Sequence, residues 1–180
     1  CMESIDFSAD GKRIAYYDKK GVEDHWRKHH RSSVTRDVWV YDVKADTYTQ
    51  VSDFTGENRD PRFVPGDDNS IYYLRECAEN PANSTFNGSF NVYKRNIKTG
   101  AEQQITFHEF HPVRFLTVAD NGLMAYSFNG ELYTVREGAE PQKVAVAIYS
   151  DQTEPDYRVD FYSGNVSDMA VSPSGKEIAF

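Results

Sequence analysis

Phe7-Ser8-Ala9-Asp10-Gly11-Lys12-Arg13-Ile14-Ala15-Tyr16 decides how the rest of this sequence is read. It returns at the far end as Val171-Ser172-Pro173-Ser174-Gly175-Lys176-Glu177-Ile178-Ala179-Phe180. Each copy reads as a strand end, a tight turn carrying Gly, a charged pair and a new strand. Gly follows Asp10 and Ser174 because a short hairpin turn needs a residue that tolerates positive φ. The β-branched and aromatic residues after it suit a pleated, half-buried surface. Degraded copies stand at Pro65-Gly66-Asp67-Asp68-Asn69-Ser70-Ile71-Tyr72-Tyr73 and Ala119-Asp120-Asn121-Gly122-Leu123-Met124-Ala125-Tyr126.

The copies are regularly spaced. With Ile14, Ile71, Met124 and Ile178 as equivalents, the steps are 57, 53 and 54 residues. Val38-Trp39 and Val92-Tyr93 are 54 apart, as are Gln50-Val51 and Gln104-Ile105. Leu132-Tyr133 and Lys143-Val144 come after only 40 and 39, because Phe128-Asn129-Gly130 replaces a long loop with a hairpin signal. Periods of this size, with four strand-like runs each, predict an all-β fold of propeller blades, each a four-stranded antiparallel sheet.

Composition agrees. Sixteen Val against four Leu, with 11 Phe and 12 Tyr, favour sheet over helix. A formal net charge of −8 argues against generic nucleic-acid binding. No run is long and apolar enough to span a membrane, and no signal peptide is read. Cys1 and Cys77 give neither a disulfide framework nor a metal pattern. Strand-like sequence begins a few residues after Cys1, so a lipidated, tethered N-terminus is not expected.

Three blades are expected over residues 1–149, the last part of a six-bladed propeller. An acidic linker comes next over 150–165, and a further blade of a second propeller begins at 166–180. The sequence stops within a repeat unit, so it is expected to be a stretch of a longer protein. The B–C loops over residues 19–36 and 76–89 are expected at one end of the blades, with each D-to-A connection at the other. Almost no helix is expected outside 19–36. The recurring Tyr16, Tyr17, Trp39, Tyr41, Tyr72, Tyr73 and Tyr93 are expected to pack between blades.

No catalytic constellation is present. Gly-x-Ser-x-Gly is absent, and Gly88-Ser89 and Ser163-Gly164 stand in polar loops. His108-Glu109-Phe110-His111 has the wrong spacing for a zinc helix and reads as the connection between blades two and three. The unusual stretch is Glu23 to Arg36, which holds three of the five histidines and the cations Arg27, Lys28, Arg31 and Arg36. His25 and His29 would share a helix face as zinc ligands can, but no third ligand is evident. Two readings stay open. Trp26, Arg27, Lys28, His29, His30 and Arg31 form a basic lip that docks a carboxylate or an acidic neighbour, or a solvated loop paired with its own acidic surroundings. No metal and no cofactor is expected.

The Ser-Pro-Ser-Gly-Lys type of turn resembles those in propellers of TolB-like proteins, dipeptidyl-peptidase-type enzymes and tricorn-type proteases. Asp24-His25-Trp26-Arg27-Lys28-His29-His30 leading into Val38-Trp39, Gly88-Ser89-Phe90-Asn91-Val92-Tyr93 and His111-Pro112-Val113-Arg114-Phe115 resemble the N-terminal propeller region of bacterial, Bacteroides-like tricorn-type serine proteases. The resemblance spans nearly the whole chain. It implies a parent with two stacked propellers, a PDZ domain and a protease core. The catalytic residues would lie outside this sequence, so the segment itself is not expected to be an enzyme. It also implies peptides and the other domains as partners, a homo-oligomeric parent and a periplasmic location, with the cytoplasm as alternative. A TolB-like interaction module in the cell envelope is the other functional class.

Overall fold

The structure is a computed structural model and describes residues 2–18, 20, 35–53, 56–76, 89–149, 159–161, 163–164 and 166–180. The chain divides into two compact units, Cys1–Ala145 and Val146–Phe180. The first holds three four-stranded antiparallel sheets, each a meander in chain order. Sheet one is β1 (Met2–Phe7), β2 (Arg13–Asp18), β3 (Val38–Asp42) and β4 (Thr47–Gln50). Sheet two is β5 (Asn58–Val64), β6 (Asp67–Glu76), β7 (Phe90–Asn96) and β8 (Glu102–Gln104). Sheet three is β9 (Arg114–Val118), β10 (Met124–Phe128), β11 (Glu131–Val135) and β12 (Gln142–Lys143). The second unit carries one hairpin, β13 (Ala170–Val171) with β14 (Ile178–Ala179). Among the described residues there is no helix.

The sequence repeat is also a repeat of register. Ile14 pairs with Phe7 and Tyr41, Ile71 with Phe63 and Arg95, and Met124 with Val118 and Val135. In the second unit Ile178 pairs with Val171. Three of the four opening turns are closed in a similar way, the exception being Pro65-Gly66 of sheet two, where Val64 pairs with Asp67. Gly11 N–H donates to Ser8 O, Gly122 to Ala119 O and Gly175 to Ser172 O, at 2.8, 2.8 and 2.9 Å. The glycines have φ of 68°, 77° and 69°, which a side chain would strain. Asn129 and Gly130 both have positive φ, as a two-residue type I′ hairpin requires.

The sheets stack face to face through two apolar seams. Ala15, Tyr17, Val38 and Val40 of sheet one meet Phe63, Ile71, Tyr73 and Tyr93 of sheet two. Tyr72, Leu74 and Val92 on the opposite face of sheet two meet Leu116, Met124, Tyr126 and Val135 of sheet three. Tyr17, Tyr72, Tyr73 and Tyr93 therefore pack between sheets, as their periodicity predicts. Tyr16, Trp39 and Tyr41 alternate with Tyr17, Val38 and Val40 along β2 and β3, and so lie on the other face of sheet one. First strands lie side by side, β1 against β5 and β5 against β9, so the sheets fan outward from them. Cross-links at the turn end add Ala9 N–H to Asp68 Oδ1 (2.9 Å) and the Lys94 ammonium to Glu137 (2.8 Å).

One expectation is corrected. The B–C loops and the D-to-A connections leave from the same end. Asn58 N–H, where a D-to-A connection enters β5, donates to Arg36 O at the foot of the first B–C loop (3.0 Å), and Val113 N–H donates to Phe90 O (3.0 Å). The reason is parity. In a four-strand meander the second and fourth strands run in the same direction, so the loops that leave their ends emerge together.

Each first strand also carries a bulge that no glycine announces. Ser4, Asp60 and Phe115 have φ of 51°, 49° and 59° within register breaks of β1, β5 and β9. A left-handed residue in a bulged strand bends it and increases its twist, here at the same level in all three sheets.

Candidate functional site at the loop end of the blades

The loop end is built on a repeated polar staple. In sheet one Val38 N–H donates to Ser52 Oγ (2.9 Å), and that hydroxyl donates to Asp37 Oδ1 (3.1 Å). In sheet two Val92 N–H donates to Thr106 Oγ1 (2.9 Å), which donates to Asn91 Oδ1 (2.9 Å). Each staple fixes the start of a third strand, where a B–C loop returns to the sheet.

The feet of the first loop are held together. Asp18 N–H donates to Asp37 O (3.0 Å), Asp37 N–H donates to Asp18 Oδ1 (2.7 Å), and the Lys20 ammonium lies 2.5 Å from Asp37 Oδ2. Burial would lower the Lys20 pKa, but hydrogen bonding and attraction from Asp37 and Asp18 raise it above the ordinary lysine value. The basic-lip residues Trp26, Arg27, Lys28, His29, His30 and Arg31 lie outside the described residues. The fourth cation of that stretch, Arg36, does not join a surface lip. It is buried.

Arg36 enters a charged corner between sheets one and two. Its Nη1 donates to Glu57 Oε1 (2.7 Å) and its main-chain N–H to Glu57 Oε2 (3.2 Å). Arg59 Nε donates to the same Glu57 Oε1 (2.6 Å). Glu57 N–H donates to Glu76 Oε2 (3.2 Å), and Glu3 Oε2 lies 4.0 Å from Arg36 Nε. The Arg36 guanidinium also sits over the Tyr17 ring, 5.6 Å from its centroid. Burial first, then the Asp60 and Glu3 charges, raises the Tyr17 pKa and keeps its hydroxyl protonated. All four members of the core network, Arg36, Glu57, Arg59 and Glu76, are buried.

At the equivalent corner between sheets two and three, Phe90 stands for Arg36, Pro112 for Glu57 and Val113 for Asn58. The polar groups there are Arg114, in the place of Arg59, and, toward sheet three, His108. Its ring stacks on Phe128 at 4.0 Å, meets Tyr133 edge-on, and its Nε2 hydrogen-bonds Tyr126 Oη (2.8 Å). Burial lowers its pKa, favouring the neutral ring. His108-Glu109-Phe110-His111 is thus the connection the spacing implies, with one histidine as a keystone between sheets.

Sequence reasoning did not find Glu57, Arg59 and Glu76 as a network. The available signal was the exchange of Pro112-Val113 for Glu57-Asn58 between aligned repeats. The arrangement can hold loop feet rigidly and set a charged floor beneath them. The crevice lined by Arg59, Asp60, Arg114 and Phe115 has about 10 Å³ of space, room for roughly one water. No group of three or more potential metal ligands occurs among the described residues, and among them no helix is long and apolar enough to cross a membrane.

No protein-family model matches the sequence, and comparison with curated proteins gives no match. Solved structures do match. The tricorn protease aligns over 82% of this chain with a TM-score of 0.60 and 17% identity. A putative TolB from Agrobacterium tumefaciens aligns over 79% with a TM-score of 0.58 and 15% identity. TolB from Acinetobacter baumannii aligns over 78% with 0.54 and 13%. The alignments take up 13%, 48% and 31% of those chains, so this chain spans less than half of each. At such identities the likeness concerns fold, and these four-stranded sheets are β-propeller blades.

Proposed function

We propose that this chain is a non-catalytic β-propeller segment of a tricorn-like serine peptidase of the periplasm, and that it guides or filters peptides for a protease core elsewhere in the protein. The observation that carries this reading is the buried Arg36–Glu57–Arg59 network directly beneath the foot of the loop that holds the basic stretch Arg27 to Arg31. Both described feet of that loop, Asp18 and Asp37, are tied together at one end of the blades. Cations above a desolvated charged floor orient a peptide carboxylate. The fold shared with the tricorn protease supports the same reading.

The three blades belong to a larger, six-bladed ring, and residues 166–180 open a blade of a second one. Exposure across sheet one supports this. Phe7 is 61% exposed, whereas its register equivalent Phe63 is 6% exposed in the seam with sheet one. A further blade packed on sheet one would cover Phe7 as sheet one covers Phe63.

The test uses the parent protein. Arg27→Ala with Arg31→Ala should slow processing of peptides with a free C-terminal carboxylate and spare a small fluorogenic substrate. Equal rates on both substrate types would overturn the guiding role. The second reading is a TolB-like interaction module of the cell envelope, favoured by the comparable TM-score of 0.58. A parent that hydrolyses no peptide but captures envelope proteins through the same loop would select it.

A further inference from the structure

The two seams between blades differ on their outer side. In the first, Arg95 of sheet two reaches across to Asp53 after sheet one, with Nη1 and Nη2 donating at 2.9 and 2.7 Å. This fork-on-carboxylate pair is the strong, directional kind, and it bridges the seam. The register equivalents in the second seam are Val135 and Phe107. Val135 is buried, and Phe107 stands 73% exposed. Two uncharged side chains form no ion pair at this level, and a groove of about 490 Å³ remains, lined by Gln103 to Ile105, Phe107, His108, Tyr133 and Gly138 to Pro141. That volume lies within the range of small-ligand sites, ~300–1,000 Å³.

The groove runs the length of a strand edge. Its lining extends from Phe107 and His108 at the loop end to Gly138–Pro141 at the turn end, alongside β8. Gln103 pairs with Lys94, Ile105 N–H donates to Val92 O (2.8 Å), and Asn96 N–H donates to Ala101 O (2.9 Å). Residues 101, 103 and 105 therefore face β7. By the alternation of antiparallel ladders, Glu102 and Gln104 turn their main-chain N–H and C=O outward. No described strand pairs with that edge. The wall opposite is aromatic, with Tyr133 and His108 held in place by Phe128 and Tyr126.

We infer that this groove is a binding site for an extended peptide, which adds as a strand to the β8 edge and lays an aromatic or aliphatic side chain between Phe107, Tyr133 and Pro141. Main-chain hydrogen bonds to Glu102 and Gln104 supply affinity whatever the peptide sequence. The bay between Phe107 and Tyr133 supplies the preference. The inference rests on the reading of this segment as one that handles peptides, and gives it a place distinct from the loop Arg27 to Arg31.

The test uses the full chain. The probe is a pool of acetylated heptapeptide amides with Phe at the centre and Ser, Thr or Val at the flanks. A second pool is N-methylated on alternate amides, which removes the strand-forming donors and keeps the side chains. Calorimetry should show saturable binding of the first pool, weakened about ten-fold by N-methylation and about ten-fold by Phe107→Asp or Tyr133→Ala. Hydrogen–deuterium exchange should slow over residues 101–108 in the complex. Phe107 is exposed, so Phe107→Asp is expected to fold, and unchanged exchange elsewhere verifies this. Absent binding, binding indifferent to N-methylation, or binding unchanged in Phe107→Asp overturns the groove. Protection that maps instead to residues 19–36 overturns it too, and leaves the wider peptide-guiding reading standing.

Discussion

The corner between sheets one and two and the corner between sheets two and three share a backbone and differ in filling. Both use the same main-chain bond, Asn58 to Arg36 or Val113 to Phe90, each 3.0 Å long. Both use the same hydroxyl staple. One buries two arginines and two glutamates; the other buries Phe90, Val113 and Leu116, and keeps of the four charges only a part-buried arginine, Arg114 in the place of Arg59. The backbone therefore does not require charge at this place. Buried charges cost several kcal/mol each in desolvation and gain little net stability over apolar residues of like volume. The charged corner includes Arg36, the residue at which the segment carrying the basic stretch rejoins sheet one, and the other corner has Phe90 in that place. The difference teaches that the same main-chain frame accepts either filling, and that the choice of charge at the first corner is not dictated by sheet packing.

The comparison is broken most readily at Glu57. Glu57→Gln leaves Arg36 and Arg59 buried without their shared carboxylate and should lower stability by about 3–5 kcal/mol, read from the urea midpoint of the protein. Replacing Arg36, Glu57 and Arg59 together by Met should cost less than Glu57→Gln alone. A larger loss in the triple variant would show that the charges themselves hold the corner. In the apolar corner, Leu116→Ala should cost roughly 3 kcal/mol through lost burial and a residual cavity, with no change in the salt dependence of unfolding.

The staples should respond alike. Ser52→Ala and Thr106→Val each leave a buried main-chain N–H without its acceptor, at about 1–3 kcal/mol. Amide exchange at Val38 and Val92 should rise in the respective variants. Unequal effects would mean that the corner filling, not the staple, anchors the third strand.

The smallest effect is a pH dependence. Burial lowers the folded-state pKa of His108, so the folded protein binds fewer protons there than the unfolded chain. The contribution is present above the ordinary histidine pKa of about 6.5 and is lost as pH falls below it. His108→Asn should remove that slope between pH 5 and pH 7, roughly the window set by the unshifted value. A slope that persists unchanged would assign it to other groups.

Much of the fold is legible in the sequence because a propeller repeats local rules. Turn glycines, the Asn129-Gly130 hairpin and the alternating aromatic strands each announce themselves within a short stretch of chain. Ile14, Ile71 and Met124 are equivalent by spacing, and their pairing partners are equivalent in space. The three bulges are not legible, because Ser4, Asp60 and Phe115 are residues with no common preference for positive φ. Nor is the fate of Arg36. As part of a basic run it reads as a surface cation, and only its distance to Glu57, 21 residues on, makes it a core one.

The sequence by itself determined the strand order, the turn types and the fact of stacking, since these come from period, chirality and local propensity. Tertiary structure alone decided which end the loops share, which charges are buried and which seam stays open. These depend on residues from different blades meeting, Arg36 with Glu57 and Arg95 with Asp53, whereas Val135 and Phe107, in the places of Arg95 and Asp53, form no ion pair. Such meetings are set by the geometry of packed sheets, and linear spacing carries no record of them until the sheets are in place.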